Sequence, residues 1–233
     1  MARSIVRNIP NTITLCNVLS GCIAIFMTFH IGTEFAGMDA MHWAWIAIGA
    51  AAVFDFCDGA SARLLGAYSL FGKELDSLCD LVSFGVAPGM LILNIMIESG
   101  ECRAWSFFAL LIPVMGAYRL AKFNIDDSQT TSFRGLPIPA NAIFWIGLSD
   151  WISRHGYPTT AVMVVLIAAI STLMVCNNRM FSLKFKNFAL AENFRRYVLV
   201  LAAGCFIAAW GVSGLMWTIV LYILISFLGR KDI

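Results

Sequence analysis

Charged side chains are scarce in this sequence. Asp, Glu, Lys and Arg make up 13% of its 233 residues, whereas hydrophobic residues make up 60%. Soluble globular domains have about 25% charged residues, so this composition excludes an ordinary soluble domain. A lipid bilayer explains it, because helix faces that contact lipid need no polar coat. The composition therefore predicts an integral membrane protein.

Several other signals are absent. The net charge of +2 is small, and no basic cluster is interleaved with aromatic residues, so a nucleic-acid partner is not expected. The seven cysteines are odd in number and form no CxxC pair, which predicts free thiols. The apolar run near the N-terminus lacks a small-x-small cleavage site, so we expect a retained first span rather than a cleaved signal peptide.

Hydropathy predicts an all-α fold, a polytopic membrane helix bundle of about eight transmembrane helices. We expect one integral membrane domain over residues 1–233, with no separate soluble module. The predicted spans are 12–31, 42–66, 75–97, 103–122, 137–152, 158–176, 196–210 and 213–229.

The positive-inside rule predicts the orientation. With the N-terminus in the cytoplasm, only Arg103 and Arg154 of the 16 lysines and arginines fall on the opposite side. This bias places both termini in the cytoplasm. We therefore expect an integral protein of the bacterial cytoplasmic membrane, surrounded by membrane lipids, with any active site at 54–80 facing the cytoplasm.

Four aspartates lie in the stretch FDFCDGASARLLGAYSLFGKELDSLCD, at the facing ends of the second and third predicted spans. Asp55 and Asp58 are three residues apart, and Asp76 and Asp80 are four apart, so each pair projects from one helix face. Opposed across a helical hairpin, the four carboxylates would form an all-oxygen site suited to Mg²⁺, Mn²⁺ or Ca²⁺. No histidine or cysteine pair is nearby, which argues against zinc.

The residues between the aspartates suit a phosphate ligand. Gly59 and Gly72 remove side chains where a ligand could approach, and Ala62 continues a small face. Arg63 offers a bidentate donor for phosphate, and Ser69 offers a hydroxyl in the connecting turn. Together with metal ions, these residues predict a pyrophosphate site.

The pattern Asp-x2-Asp-Gly-x2-Ala-Arg-x8-Gly-x3-Asp-x3-Asp resembles the signature of the CDP-alcohol phosphotransferases. Members of that family displace CMP from a CDP-linked lipid or alcohol, with an alcohol as nucleophile and two divalent metals. The eight matching positions are Asp55, Asp58, Gly59, Ala62, Arg63, Gly72, Asp76 and Asp80.

Four further segments narrow the resemblance. Residues 10–21, 76–89, 118–126 and 133–141 are similar to the phosphatidylserine synthases within this family. The likeness implies CDP-diacylglycerol and L-serine as substrates, phosphatidylserine and CMP as products, and a homodimer.

The resemblance also implies roles for individual residues. Asp55, Asp58, Asp76 and Asp80 would hold two divalent cations, Mg²⁺ or Mn²⁺. Asp80 would also be the general base that takes the proton of the serine hydroxyl. The residues implied to contact the CDP-lipid are Asn11, Thr14, Gly59, Ala62, Arg63, Ser69 and Gly72.

The residues that recognise the acceptor are less constrained by the pattern. Arg119 or Arg134 could hold the serine carboxylate as a bidentate pair. An alternative for Arg119 is structural pairing with Asp126 or a lipid headgroup. The candidate serine-binding residues are Ser83, Arg119, Asn124 and Arg134.

Two alternatives remain open from the sequence. Glycerol 3-phosphate or inositol could replace serine as the acceptor. A divalent-cation transporter could also use a carboxylate site, although its polar residues should then continue across the membrane, whereas these aspartates cluster on one side.

Overall fold

The computed structural model describes residues 2–101, 103–125, 133–181 and 190–228, and most of them are helical. Two compact units divide the chain between Leu120 and Ala121. In order, the elements up to this boundary are α1 (Ala2–Thr28), β1 (Glu34–Phe35), β2 (Met38–Asp39), α2 (Ala40–Leu64), α3 (Leu70–Asp80), α4 (Ala87–Glu98), α5 (Arg103–Ser106) and α6 (Leu111–Ile125), the last of which continues past it.

Helix α1 has a polar buried face and an apolar exposed face. Asn17 is fully buried, whereas Leu15 and Leu19 are 51% and 61% exposed. This is the reverse of a helix in a soluble protein, and it is the arrangement expected of a helix whose outer face contacts lipid. The inner face of α1 is therefore available for polar chemistry.

A sharp turn joins α2 to α3. Gly66 has a φ of +57°, a left-handed conformation that glycine adopts without strain. The Ser69 side chain then caps α3, because its Oγ accepts a hydrogen bond from the Gly72 amide at 2.9 Å. The turn and the cap place the end of α2 beside the start of α3.

The helix does not continue regularly beyond α3. Residues Leu81–Val86 form a π-helical segment between α3 and α4, in which the Ala87 amide donates to the Val82 carbonyl. Single π turns within α-helices are frequently found at functional sites. This one begins immediately after Asp80.

Beyond α6, the described residues of the second unit form a short strand pair and four α-helices. Strand β3 pairs antiparallel with β4, and Gly147 of α7 lies against the backbone of Met216 in α10. Its elements beyond α6 are β3 (Phe133–Arg134), α7 (Ile138–His155), α8 (Thr160–Val175), β4 (Arg179–Met180), α9 (Leu190–Trp210) and α10 (Gly214–Leu228).

Asp150 of α7 fixes the turn between α9 and α10. Its carboxylate is buried and accepts hydrogen bonds from the Ser213 amide and hydroxyl, at 2.8 and 2.6 Å. The Arg154 guanidinium contacts the same carboxylate at 3.0 Å. These partners satisfy the buried charge, so Asp150 is explained by structure alone.

Within the described residues, five helical stretches are long and apolar enough to cross a membrane. This confirms an all-α membrane bundle, while eight crossings stay a prediction. Helices occupy the predicted intervals, but α1 begins at Ala2 and α3 at Leu70, earlier than hydropathy indicates; residue 229, the predicted end of the last span, lies outside the description. The five stretches are Asn8–Thr28, Ala40–Leu64, Leu70–Glu98, Arg103–Ile125 and Asn193–Leu228.

Candidate functional site

The structure brings the aspartates of α2 and α3 together. Asp55, Asp76 and Asp80 each direct one carboxylate oxygen into a group whose members all lie within 4.8 Å of one another. Asp55 and Asp76 are half-buried, and Asp80 is buried. The two helix faces therefore oppose each other as their spacing predicts.

Asp58 lies beside this group, one turn after Asp55 on α2. Asp58 is 5% exposed, and the Thr14 side chain and the Gly59 amide are polar neighbours of its carboxylate. The charges of Asp55, Asp58, Asp76 and Asp80 act on one another electrostatically. Without a cation, four such carboxylates would repel each other in a poorly solvated site.

Two atoms of the cluster test whether a metal fits. Asp58 Oδ2 and Asp76 Oδ1 are buried, and neither atom has a hydrogen-bond partner among the described residues. Buried carboxylate oxygens without a partner are costly, whereas a hard divalent cation would satisfy them. The all-oxygen donor set and these unpaired atoms fit such a cation, so the cluster could hold a divalent metal.

A cavity of about 530 Å³ opens beside the aspartates, between α1, the end of α2 and the start of α3. Asp58 and Asp76 form part of its wall, so the carboxylate cluster adjoins the space where a ligand would bind. Its other lining residues are Pro10, Asn11, Thr14, Gly59, Ala62, Ala67, Tyr68, Ser69, Leu70, Gly72 and Lys73.

Six of the seven residues that the resemblance implies for the CDP-lipid line this cavity. The exception is Arg63, which is exposed on the last turn of α2 and lies outside the lining. Tyr68 and Lys73 also line the cavity, and the sequence analysis did not select them. Tyr68 immediately precedes Ser69 and Lys73 follows it by four residues, so their closeness to Ser69 in the sequence was the available signal.

The two sides of the cavity have opposite electrostatic character. Ser69 and Gly72 lie at the N-terminus of α3, where the helix dipole attracts anions. Lys73 adds a positive charge at the same end. The aspartates lie deeper, so a phosphate group between the two sides would contact amides and lysine on one side and metal-binding carboxylates on the other.

The sequence analysis also missed Asn17. This residue is fully buried on α1, and its Nδ2 donates a hydrogen bond to Asp80 Oδ1 at 3.1 Å. Its position three residues after Thr14, which is itself three after Asn11, was a signal that it shares their helix face. Helix α1 therefore contacts both the cavity and the aspartate cluster.

The contact between α1 and the π-helical segment is unusually close. A Cβ atom added to Gly21 would lie 2.4 Å from Ser83 Oγ and 2.9 Å from Ser83 Cα. Gly21→Ala is therefore expected to push α1 away from this segment and to destabilise the protein by about 1–3 kcal/mol. Thermal unfolding of purified protein in detergent measures the effect.

Gly49→Ala is the matched control, because nothing lies within 4 Å of a Cβ added there and Gly49 is exposed within α2. Alanine favours helix more than glycine does, so this variant should be as stable as the native protein or more so. Equal melting temperatures for the two variants would contradict the close contact at Gly21.

The candidate serine-binding residues lie in different units. In the first unit, Ser83 is fully buried and its hydroxyl donates to the Asn17 carbonyl at 3.0 Å, while Arg119 is buried on α6. In the second, Asn124 lies in the last turn of α6 and Arg134 in β3. Asp126, the alternative partner considered for Arg119, lies outside the described residues.

Comparison with known proteins shows which family the sequence resembles. A sequence model of the family described as CDP-alcohol phosphatidyltransferase matches residues 7–223. A CDP-diacylglycerol–serine O-phosphatidyltransferase from Methanocaldococcus jannaschii is 33% identical over 162 residues, covering 70% of this chain and 69% of that protein.

Two bacterial proteins with the same name are similar as well. The Bacillus subtilis protein is 38% identical over 131 residues, which cover 56% of this chain and 69% of the relative. The Helicobacter pylori protein is 31% identical over 198 residues, which cover 82% of this chain and 78% of the relative.

Proposed function

This chain belongs to the CDP-alcohol phosphatidyltransferase family, and from that premise we propose that it transfers a phosphatidyl group from CDP-diacylglycerol to the hydroxyl of L-serine. The products are phosphatidylserine and CMP. The observation that carries the proposal is the carboxylate cluster of Asp55, Asp76 and Asp80 beside a cavity suited to phosphate. The names of the relatives support serine as the acceptor.

The cavity is proposed to bind the nucleotide end of the substrate. Asn11, Ser69 and Gly72 lie close together, since a Cβ on Gly72 would be 3.0 Å from Ser69 Oγ and 3.1 Å from Asn11 Oδ1. A side chain at position 72 would enter this space. The pyrophosphate is proposed to lie here, with the N-terminus of α3 and Lys73 offsetting its charge.

Asp55, Asp58, Asp76 and Asp80 are proposed to hold two divalent cations, Mg²⁺ or Mn²⁺. When bound, such cations neutralise the negative charge that develops on the phosphates and on the departing CMP. The aspartates would keep the cations close to the phosphates. Because the aspartates are largely buried, the attraction between carboxylates and cations is stronger than it would be in water.

Asp80 is proposed to act on the acceptor. Its carboxylate takes the proton of the serine hydroxyl while the serine oxygen forms a bond to the phosphorus that carries diacylglycerol. The bond from that phosphorus to the CMP oxygen breaks, and CMP leaves with the electron pair. A serine hydroxyl is a weak acid, so a positioned base is needed near neutral pH.

The site requires access to both lipid and water. We infer that all eight predicted spans cross the bacterial cytoplasmic membrane, with both termini and the aspartates on the cytoplasmic side. Gly211, with a φ of +61°, begins the turn that divides the apolar stretch Asn193–Leu228 into two helices. Labelling of single introduced cysteines in intact cells would test on which side of the membrane each loop lies. Cross-linking in membranes would test the proposed homodimer and the single-domain organisation.

The function is tested with purified protein in lipid nanodiscs containing CDP-diacylglycerol and Mn²⁺ or Mg²⁺. We expect CMP release and a phosphatidylserine product with L-serine, no product with glycerol 3-phosphate or inositol, and no reaction after chelation. Product with only one of the other two acceptors would overturn the serine assignment. No CMP release with any acceptor would overturn the transferase function.

A further inference from the structure

The two polar atoms of the Asn17 side-chain amide differ in their hydrogen bonding. Its Nδ2 donates to Asp80 Oδ1 at 3.1 Å. Its Oδ1 is buried and accepts no hydrogen bond from the residues that the structure describes, although Asn17 is fully enclosed. A buried acceptor without a donor costs about 1–3 kcal/mol, so this atom needs a physical explanation.

The position of Asn17 is fixed by its neighbours. Its backbone carbonyl accepts a hydrogen bond from Ser83 Oγ at 3.0 Å, in the π-helical segment that follows Asp80. Gly21, one turn further along α1, packs against the same serine with no room for a side chain. These contacts hold the amide beside Asp80.

Asn17 and Asp80 lie one helical turn beyond the wall of the cavity. Thr14 and Asp76 line the cavity, and Asn17 and Asp80 follow them by three and four residues on α1 and α3. Asn17 and Asp80 therefore lie together just behind this wall, 3.1 Å apart, so an acceptor group bound at Asp80 would also be close to the Asn17 amide.

We propose that Asn17 determines the specificity for the acceptor by receiving a hydrogen bond from its ammonium group. The inference rests on the proposed function and extends it to a residue outside the motif. In serine, the hydroxyl and the ammonium are on adjacent carbons, so one molecule can present the hydroxyl to Asp80 and the ammonium to Asn17 Oδ1. Glycerol 3-phosphate and inositol carry no ammonium, and a site with an unpaired acceptor rejects a ligand that lacks the donor.

The test compares serine with 3-hydroxypropionate, which has the same hydroxyl and carboxylate but no ammonium. In Asn17→Leu, the KM for serine is expected to rise about tenfold to a hundredfold, as for loss of a hydrogen bond to a charged group. The inhibition constant of 3-hydroxypropionate against serine should change less than threefold. If Asn17 only positioned Asp80, the substitution would lower kcat and would change the KM for serine and the inhibition constant of 3-hydroxypropionate by similar factors.

Asn17→Asp keeps an oxygen for the ammonium but removes the donor to Asp80. We expect a lower kcat, as in Asn17→Leu, but a serine KM no higher than that of the native protein, so the two variants differ in KM alone. This variant preserves side-chain size, so it also tests the proposal if Asn17→Leu does not fold. Ser20→Ala is the control on α1, because the Ser20 hydroxyl bonds only locally, to the Cys16 carbonyl.

Mn²⁺ binding, measured by electron paramagnetic resonance, gives a readout independent of turnover. Unchanged Mn²⁺ affinity in Asn17→Leu is expected. Equal loss of serine and 3-hydroxypropionate affinity, or loss of Mn²⁺ binding, would overturn the ammonium contact. Failure of the native protein to use serine would instead overturn the proposed function.

Discussion

Asp80→Asn is expected to lower the rate of CMP release with serine by a factor of about 10² to 10⁴, because the amide cannot accept the hydroxyl proton. Binding of the CDP-lipid should remain, since Asp80 lies one turn beyond the cavity lining. Single-turnover CMP release and equilibrium binding of CDP-diacylglycerol in nanodiscs measure the two properties separately.

Glu74→Gln is the matched control, because it removes a carboxylate from the exposed side of the same helix. Its turnover should be close to that of the native protein. A native rate in Asp80→Asn would exclude Asp80 as the base, whereas a large loss of CDP-lipid affinity would indicate that its principal role is in substrate binding.

Substitution of Asp76 is expected to change both the affinity for Mn²⁺ and the thermal stability of the protein. Asp76 Oδ1 is buried and has no hydrogen-bond partner in the described part of the chain, and the neighbouring carboxylates repel Asp76. Asp76→Asn should therefore raise the thermal stability of metal-free protein while removing most of its Mn²⁺ affinity. In the native protein, saturating Mn²⁺ should raise the melting temperature, because a ligand that binds only the folded state stabilises it.

The two proteins should therefore exchange their order of stability when Mn²⁺ is added. Thermal unfolding with chelator and with saturating Mn²⁺ tests this, and CMP release should be lost with chelator and restored by Mn²⁺. Glu74→Gln should behave as the native protein in both conditions. An equal shift with Mn²⁺ in Asp76→Asn and the native protein would place the metal elsewhere.

The aspartate cluster was predictable because its members lie close together in the sequence. Asp55 and Asp58 share one helix face, Asp76 and Asp80 share another, and a short turn allows the faces to meet. The same locality explains why Ser69 and Gly72 were selected. Lys73 was missed because its charge in a connecting turn is equally typical of a cytoplasmic loop.

Contacts between residues distant in the chain were not predictable in this way. Asn17 meets Asp80, and Asp150 meets Ser213, across 63 residues in each case. A single polar residue on an apolar helix gives no sign of its partner. Helix starts were also missed where a side-chain cap, such as Ser69 for α3, extends a helix beyond its apolar stretch.

The π-helical segment has a consequence for the rotation of the helix that contains it. In an unbroken α-helix, Ala87 and Leu91 would point in nearly the same direction as Asp80, since each residue turns the helix by about 100°. One extra residue in the π-helical turn rotates the side chains of the following helix about its axis by about 100°. Gly89 packs against Pro113 of α6, while Asp80 keeps its direction toward the aspartate cluster. The number of residues from Leu81 to Val86 thus allows one face of α3 to point toward the aspartate cluster while a different face of α4 packs against α6.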